Sequence, residues 1–192
     1  EFLKSTKTGS VGFVQTVTPP PRAEQGAAQK PRVKLSSGVL EFARPDRFRF
    51  SYQKPFEQLI VADGQRLWLY DADLKQATER RQTQVLQSTP AALIIGASSL
   101  DALRTQFQLT NAPDADGLEW AQAVPKSGEG QIQRIRIGFR PGPQGSTLAA
   151  LEFLDSFGQN SRLQFSDLKL NLPLGAERFS FRPPAGVSVV RQ

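Results

Sequence analysis

From position 9 onward the chain breaks into short runs of alternating apolar and polar residues, bounded by Gly, Pro, Asn and Asp about every ten residues. Successive strand side chains point to opposite faces, so such runs fold as half-buried strands, and the tight spacing of their breaks joins neighbours as antiparallel hairpins. "GSVGFVQTVT" (9–18) reads as a first strand and "VKLSSGVLEFA" (33–43) as a second, ended by a turn at Arg44, Pro45 and Asp46. "RFRFSYQ", "EQLIVADG", "QRLWLYD" and "KQATERR" follow as a meander, separated by Lys54-Pro55, Ala62-Asp63-Gly64 and Asp71-Ala72-Asp73. Later strands are expected in "FQLTNA", "GLEWAQAV", "QIQRIRIGFR", "STLAALEFLD", "GQNSRLQFSDLKL" and "RFSFRP". Together they predict a mainly β protein with a single curled antiparallel sheet, an unclosed β-barrel of about eleven strands carrying short helices on one side.

Two stretches break the period. "PPPRAEQGAAQKPR" (19–32) has four prolines among small polar residues and reads as a flexible hairpin loop. In "STPAALIIGASSLDALRTQF" (88–107), Thr89 and Pro90 can open a short helix through Ile95 that stops at Gly96, and Ser98 or Ser99 can cap a second through Asp101 to Thr105. Residues 88–105 are thus read as helices over the sheet, and 1–8, with Phe2 and Leu3, as the remnant of an N-terminal helix. A length of 192 residues suits one domain over 1–192. Beginning at Glu1 rather than Met, the chain reads as processed or trimmed, in keeping with a removed signal peptide.

Composition narrows the chemistry. With no Cys, His or Met, thiolate metal sites, cysteine nucleophiles, Ser-His dyads and most zinc sites are excluded together, and no metal or cofactor is expected. Ser51/Lys54 and Ser166/Lys169 match a Ser-x-x-Lys spacing that works on a helix, but in a strand an odd offset sends the two side chains to opposite faces. Phosphate-loop, dinucleotide-loop and nucleophile-elbow motifs are absent, so no enzyme is expected. No apolar run approaches the roughly 18 residues of a membrane span. A net charge of +6 is compatible with a polyanion partner, although the basic residues never form a block.

The aromatic pattern says more. "RFRFSYQK" (47–54) interleaves rings and cations as a single-strand nucleic-acid platform does, and is equally an amphipathic strand. Phe42, Phe48, Phe50, Tyr52, Trp68 and Tyr70 recur at even spacing in adjacent strands, with Ile60 and Ala62 in phase, which predicts one shared greasy face. Phe13, Ile137 and Phe153, with Ile132, Ile135, Phe139, Leu151, Phe165, Phe179 and Phe181, extend the apolar set. Such a face either packs as a filled core beneath the helices or leaves a cavity for acyl chains.

These residues resemble a known family, the periplasmic outer-membrane lipoprotein carrier proteins (LolA). The run Gly38 to Thr78, with Arg-Pro, an aromatic-rich strand and "DGQRLWLYDADLKQAT", is similar to the family's almost position for position; "STPAALI", "GQNSRLQFSDLKLN" and "RFSFRPPAGVSVV" match its lid opening, late strands and tail. The resemblance implies a periplasmic monomer, an unclosed barrel lidded by short helices that carries the acyl chains of lipoproteins from an inner-membrane ABC transporter to an outer-membrane receptor, LolB. It implies a latch at Arg44, apolar lid residues Leu93, Ile94 and Ile95, and a cavity lined by Phe13, Phe42, Phe48, Phe50, Tyr52, Ile60, Trp68, Tyr70, Ile137 and Phe153. Ala91 and Ala92 stand where the family's lid often has larger residues, and the 19–31 loop is longer than the family's. Rival readings are a basic nucleic-acid-binding β domain and a related half-barrel that senses another lipid. Strand alternation puts Phe48, Phe50 and Tyr52 on one face and Arg47, Arg49 and Ser51 on the other, which favours the lipid-facing reading over base stacking and its nucleic-acid partner.

Overall fold

The computed structural model describes residues 6–20, 32–83, 100–127, 131–143 and 145–192. Among the described residues twelve strands form one sheet in the order β12-β6-β5-β4-β3-β2-β1-β11-β10-β9-β8-β7, with β12 and β7 as its terminal strands. They are β1 (Thr8–Thr18), β2 (Lys34–Ala43), β3 (Arg47–Lys54), β4 (Gln58–Asp63), β5 (Arg66–Asp71), β6 (Gln76–Arg81), β7 (Phe107–Ala115), β8 (Leu118–Pro125), β9 (Ile132–Arg140), β10 (Thr147–Asp155), β11 (Asn160–Leu170) and β12 (Ser188–Arg191). A short helix, α1 (Leu100–Gln106), covers most of the predicted second helix, and among the described residues no helix is long and apolar enough to cross a membrane. The expected first helix, the lid residues Leu93, Ile94 and Ile95, most of the 19–31 loop and the Phe2–Leu3 remnant lie outside the described residues.

The antiparallel meander β2 to β6 forms as the alternation requires, and two expectations need correcting. "RFSFRP" alternates like a strand, yet Ala176–Phe179 forms a 3₁₀ turn with extended backbone after it. Its rings serve as covering side chains rather than ladder residues: Phe179 is fully buried, and Phe181 packs on Trp68 and Tyr70. The twelfth strand comes from the tail, where Ser188–Arg191 pairs with β6 in parallel, Ser188 against Gln76 and Arg191 against Glu79. Glu79 fastens it, accepting from Arg191 at 2.9 Å while also pairing with Arg66 at 2.8 Å. No alternation shorter than a hairpin can announce such a return strand.

Two compact units share the chain: residues 1–13, 36–103 and 166–192 make the first, and 14–35 and 104–165 the second. The first is ordered by its turns. Asp63 accepts from the backbone N–H groups of Gln65 and Arg66 at 2.8 and 2.7 Å, and Gly64 takes φ +102, which a side chain would strain. Gln82, 1% exposed, ties two turns together: its Oε1 accepts from the Gly64 N–H at 2.9 Å and its amide donates to the Asp46 carbonyl. At the other end Asp71 accepts from Leu74 N–H and from the Gln58 amide, which hold its carboxyl below the usual range. Replacing Gln82 by Leu keeps the volume and removes both turn bonds. A loss of about 1–3 kcal/mol is expected, read as a lowered thermal midpoint; an unchanged midpoint would mean that water takes over both bonds.

Candidate functional site

Within the first unit, register fixes which residues share a face. Phe42 lies opposite Phe48, Phe48 opposite Ala62, Ala62 opposite Leu67, and Leu67 opposite Arg80. The next row runs Leu40, Phe50, Ile60, Leu69 and Thr78. Cross-strand partners point the same way, so both rows lie on one face of β2 to β6. Phe13, on β1, packs edge-on against Phe50 and Tyr52, with ring centroids 5.7 and 5.1 Å apart. Phe48 meets Phe50 at 6.0 Å and Phe50 stacks on Tyr52 at 6.3 Å. Edge-to-face rings add roughly 0.5–1.5 kcal/mol per pair to the burial of their area. Phe13, Phe42, Phe48 and Phe50 are buried, with Phe48 only 1% exposed, while Tyr52 and Ile60 are half-buried. Burial pushes the Tyr52 phenol up to about 12, since phenolate is poorly solvated there. Six of the ten predicted lining residues therefore meet on one apolar face.

Trp68 and Tyr70 do not join them, which corrects the single greasy face expected from their spacing. Register sets Trp68 opposite Val61 and Tyr70 opposite Leu59, which is the reverse face of β4 from Ile60 and Ala62. There Trp68 clusters with Val61 and Ala77, and Phe181 lies 5.5 Å from Trp68 and 5.2 Å from Tyr70. The cause is that β4 and β5 are apolar on both faces, "LIVA" against "LWLY". Even spacing within a strand then leaves its phase relative to the neighbour open, and the turn at Asp63 decides it. The tail covers this reverse face: Glu41, 6% exposed, accepts from Arg178 Nη2, and Arg49 donates to the Arg178 carbonyl at 3.2 Å. The Glu41 contact raises the Arg178 guanidinium further above its ordinary value.

Ile137 and Phe153 belong to the second unit. Ile137 faces Leu151 and Phe153 faces Ile135 across β9 and β10, with Leu163 opposite Leu151 on β11, so these five form one apolar face. Both predicted residues are half-buried. The reverse face sets a buried apolar cluster of Leu118, Trp120 and Ala150 beside charged groups, with the Arg136 guanidinium 4.6 Å and that of Arg162 5.8 Å from the Trp120 ring. Glu152 pairs with both arginines, at 3.3 and 3.4 Å, and Arg162 reaches Asp116 at 2.9 Å. Gly138 lets Trp120 lie flat on the sheet, since a Cβ there would stand 3.0 Å from the indole. A recess of about 380 Å³ opens beside this network, lined by Thr16, Thr18, Asp116, Glu152, Asn160, Arg162 and Gln164, none of them predicted as lining residues.

Arg44 ends β2 on the ring-bearing face, with its guanidinium 5.9 Å from the Phe42 ring and its backbone N–H donating to the Lys7 carbonyl at 2.8 Å. Desolvation lowers its guanidinium from the ordinary value. Arg80, which sequence reasoning passed over, lies on the same face at the far end of the Phe42 row. The signal was present, since Arg80 is in phase with Thr78 and out of phase with the ion-paired Glu79.

The family model described as outer membrane lipoprotein carrier protein LolA matches residues 4–182. An outer-membrane lipoprotein carrier protein of Albidiferax ferrireducens is 58% identical over 191 residues, spanning 100% of this chain and 88% of that protein. Its counterpart in Methylibium petroleiphilum is 50% identical, over 100% of this chain and 86% of that one. An uncharacterized conserved protein of Thermus thermophilus shares the fold at 14% identity, with a TM-score of 0.57 over 100% of this chain and 94% of its own. The chain belongs to the outer-membrane lipoprotein carrier protein LolA family.

Proposed function

We propose that this chain is a single-domain periplasmic carrier that holds the acyl chains of lipoproteins against the face built by Phe13, Phe42, Phe48, Phe50, Tyr52 and Ile60. The observation that carries the reading is the sorting of side chains in β3: Phe48 and Phe50 are buried among rings, while Arg47 and Arg49 occupy the opposite face. A hydrocarbon chain asks for that arrangement, since it gains from apolar contact and offers nothing to a cation. A nucleic-acid platform asks for rings and cations together on one surface, and β3 separates them onto opposite faces. Ile137 and Phe153 supply apolar surface of the same kind in the second unit. Trp68 and Tyr70 are left out of the lining because the tail covers them.

In this reading the cargo comes from an inner-membrane ABC transporter and goes to an outer-membrane receptor, with no covalent step. Transfer along such a route needs only affinities ordered from donor to acceptor. Arg44 is the latch of the empty state: half-buried and desolvated at the end of β2, it offers five donors to backbone carbonyls near helix ends.

Three outcomes test this. Phe48→Glu places a carboxylate on the dry face and is expected to weaken binding of a fluorescent acyl probe by several kcal/mol; unchanged affinity would move the site elsewhere. Arg44→Leu is expected to take up lipoprotein normally and to hand it on poorly, measured as transfer from loaded carrier to purified receptor; equal hand-off by variant and parent would remove the latch role. The dryness of the face has its own readout in Tyr52. In a Tyr70→Phe background the remaining tyrosine should ionise at about 12, and because the folded value is raised, the stability it contributes is present below about 10 and lost as pH rises toward 12. Ionisation near 10 by ultraviolet titration would show that water reaches the ring.

A further inference from the structure

The Phe42 row ends in a cation that neither the family's expected roles nor the described packing uses. Arg80 sits directly opposite Leu67, itself 1% exposed, and in line with Ala62, Phe48 and Phe42. Its Nε is buried and has no hydrogen-bond partner, and no carboxylate stands on this face in the adjoining rows of β4 and β5, where the neighbours are Ile60, Ala62, Leu67 and Leu69. The acidic residue beside it in sequence, Glu79, points to the other face and is taken by Arg66 and Arg191. A guanidinium donor sealed from water without an acceptor is costly, and the cost is removed by an oxygen acceptor brought by a ligand.

We propose that Arg80 is the polar anchor of the acyl site, donating to the ester or carboxylate oxygens at the head of a bound acyl group whose chain lies along the Phe42 row. This rests on the acyl-carrier reading above. The layout is that of an amphiphile: from β2 to β6 the row crosses four strand spacings, roughly 19 Å, apolar throughout until its last position. Planar guanidinium geometry suits paired oxygens, so a carboxylate or a pair of ester carbonyls satisfies two donors at once. Arg80 would then select oxygen-headed lipids over plain hydrocarbon and set which end of the chain lies at β6.

The test compares the full chain with Arg80→Leu and Arg80→Lys against three probes: a dipalmitoylglyceryl-cysteine peptide, palmitate, and diphenylhexatriene, which has no oxygen. Arg80→Leu is expected to weaken the oxygen-bearing probes about ten- to a hundredfold and to leave diphenylhexatriene within about twofold, with partial recovery in Arg80→Lys. Loss confined to the lipopeptide assigns Arg80 to ester oxygens, and loss confined to palmitate assigns it to a carboxylate; both support an oxygen anchor. Equal weakening of all three probes means that Arg80 only maintains the fold, and no change in either oxygen-bearing probe means that it touches no ligand; each overturns the proposal while the carrier reading stands. A parent protein that binds none of the three overturns the carrier reading, and the anchor with it.

Discussion

Everything assigned to the ring-bearing face depends on the register of β2 to β6. A strand's side chains alternate with period two, so a slip of one residue anywhere in the meander would exchange the buried rings for Arg47 and Arg49. The turns prevent it. Asp63 fixes the β4–β5 connection through two backbone N–H groups, and Gln82 joins that turn to the one between β2 and β3. Polar contacts at the strand ends thus determine which apolar residues meet in the middle, although the burial of those residues contributes most of the stability.

The two faces of this part of the sheet are covered by different means. The tail closes one of them, setting Phe181 on Trp68 and Tyr70 and Arg178 on Glu41. A carboxylate that is 6% exposed is tolerated only because a guanidinium reaches it, which makes Glu41 a marker for where the tail must dock. The other face keeps its cations at the margins, Arg44 at the end of β2 and Arg80 on β6, with rings and aliphatic side chains between them. That separation distinguishes a surface for an amphiphile from one for a polyanion, whose charges repeat along its length and need cations spread among the rings.

Much of this was legible in the chain. Where a strand has one apolar phase, as in "RFRFSYQ", alternation gave both the strand and its buried face, and Phe48 and Phe50 lie where the pattern puts them. Where both phases are apolar, as in "LIVA" and "LWLY", alternation identifies the strand but cannot choose the face, which is why Trp68 and Tyr70 lie opposite Val61 and Leu59 and not in the rows of Ala62 and Ile60. "RFSF" shows a third case: the same period serves a covering segment whose rings dock alternately without a ladder, and Pro183 and Pro184 just beyond it were the available hint that a strand could not continue. The parallel strand at Ser188–Arg191 was hidden because its partner lies more than a hundred residues away in sequence, beyond any local pattern, as β6.

A carrier must bind and also let go, and the packing of the proposed site bears on both. Phe48 is 1% exposed and Phe13 2% exposed. A ligand that reaches these rings therefore displaces protein that already shields them, and its net affinity is the gain of acyl burial less the loss of those contacts. Hydrophobic contact alone would then give a site with little preference for orientation. In the proposed reading the two arginines at the margins would act on that point: a guanidinium gains nothing from hydrocarbon and is satisfied by oxygen acceptors, so Arg44 and Arg80 would bias the balance without deepening the greasy contact that release must undo.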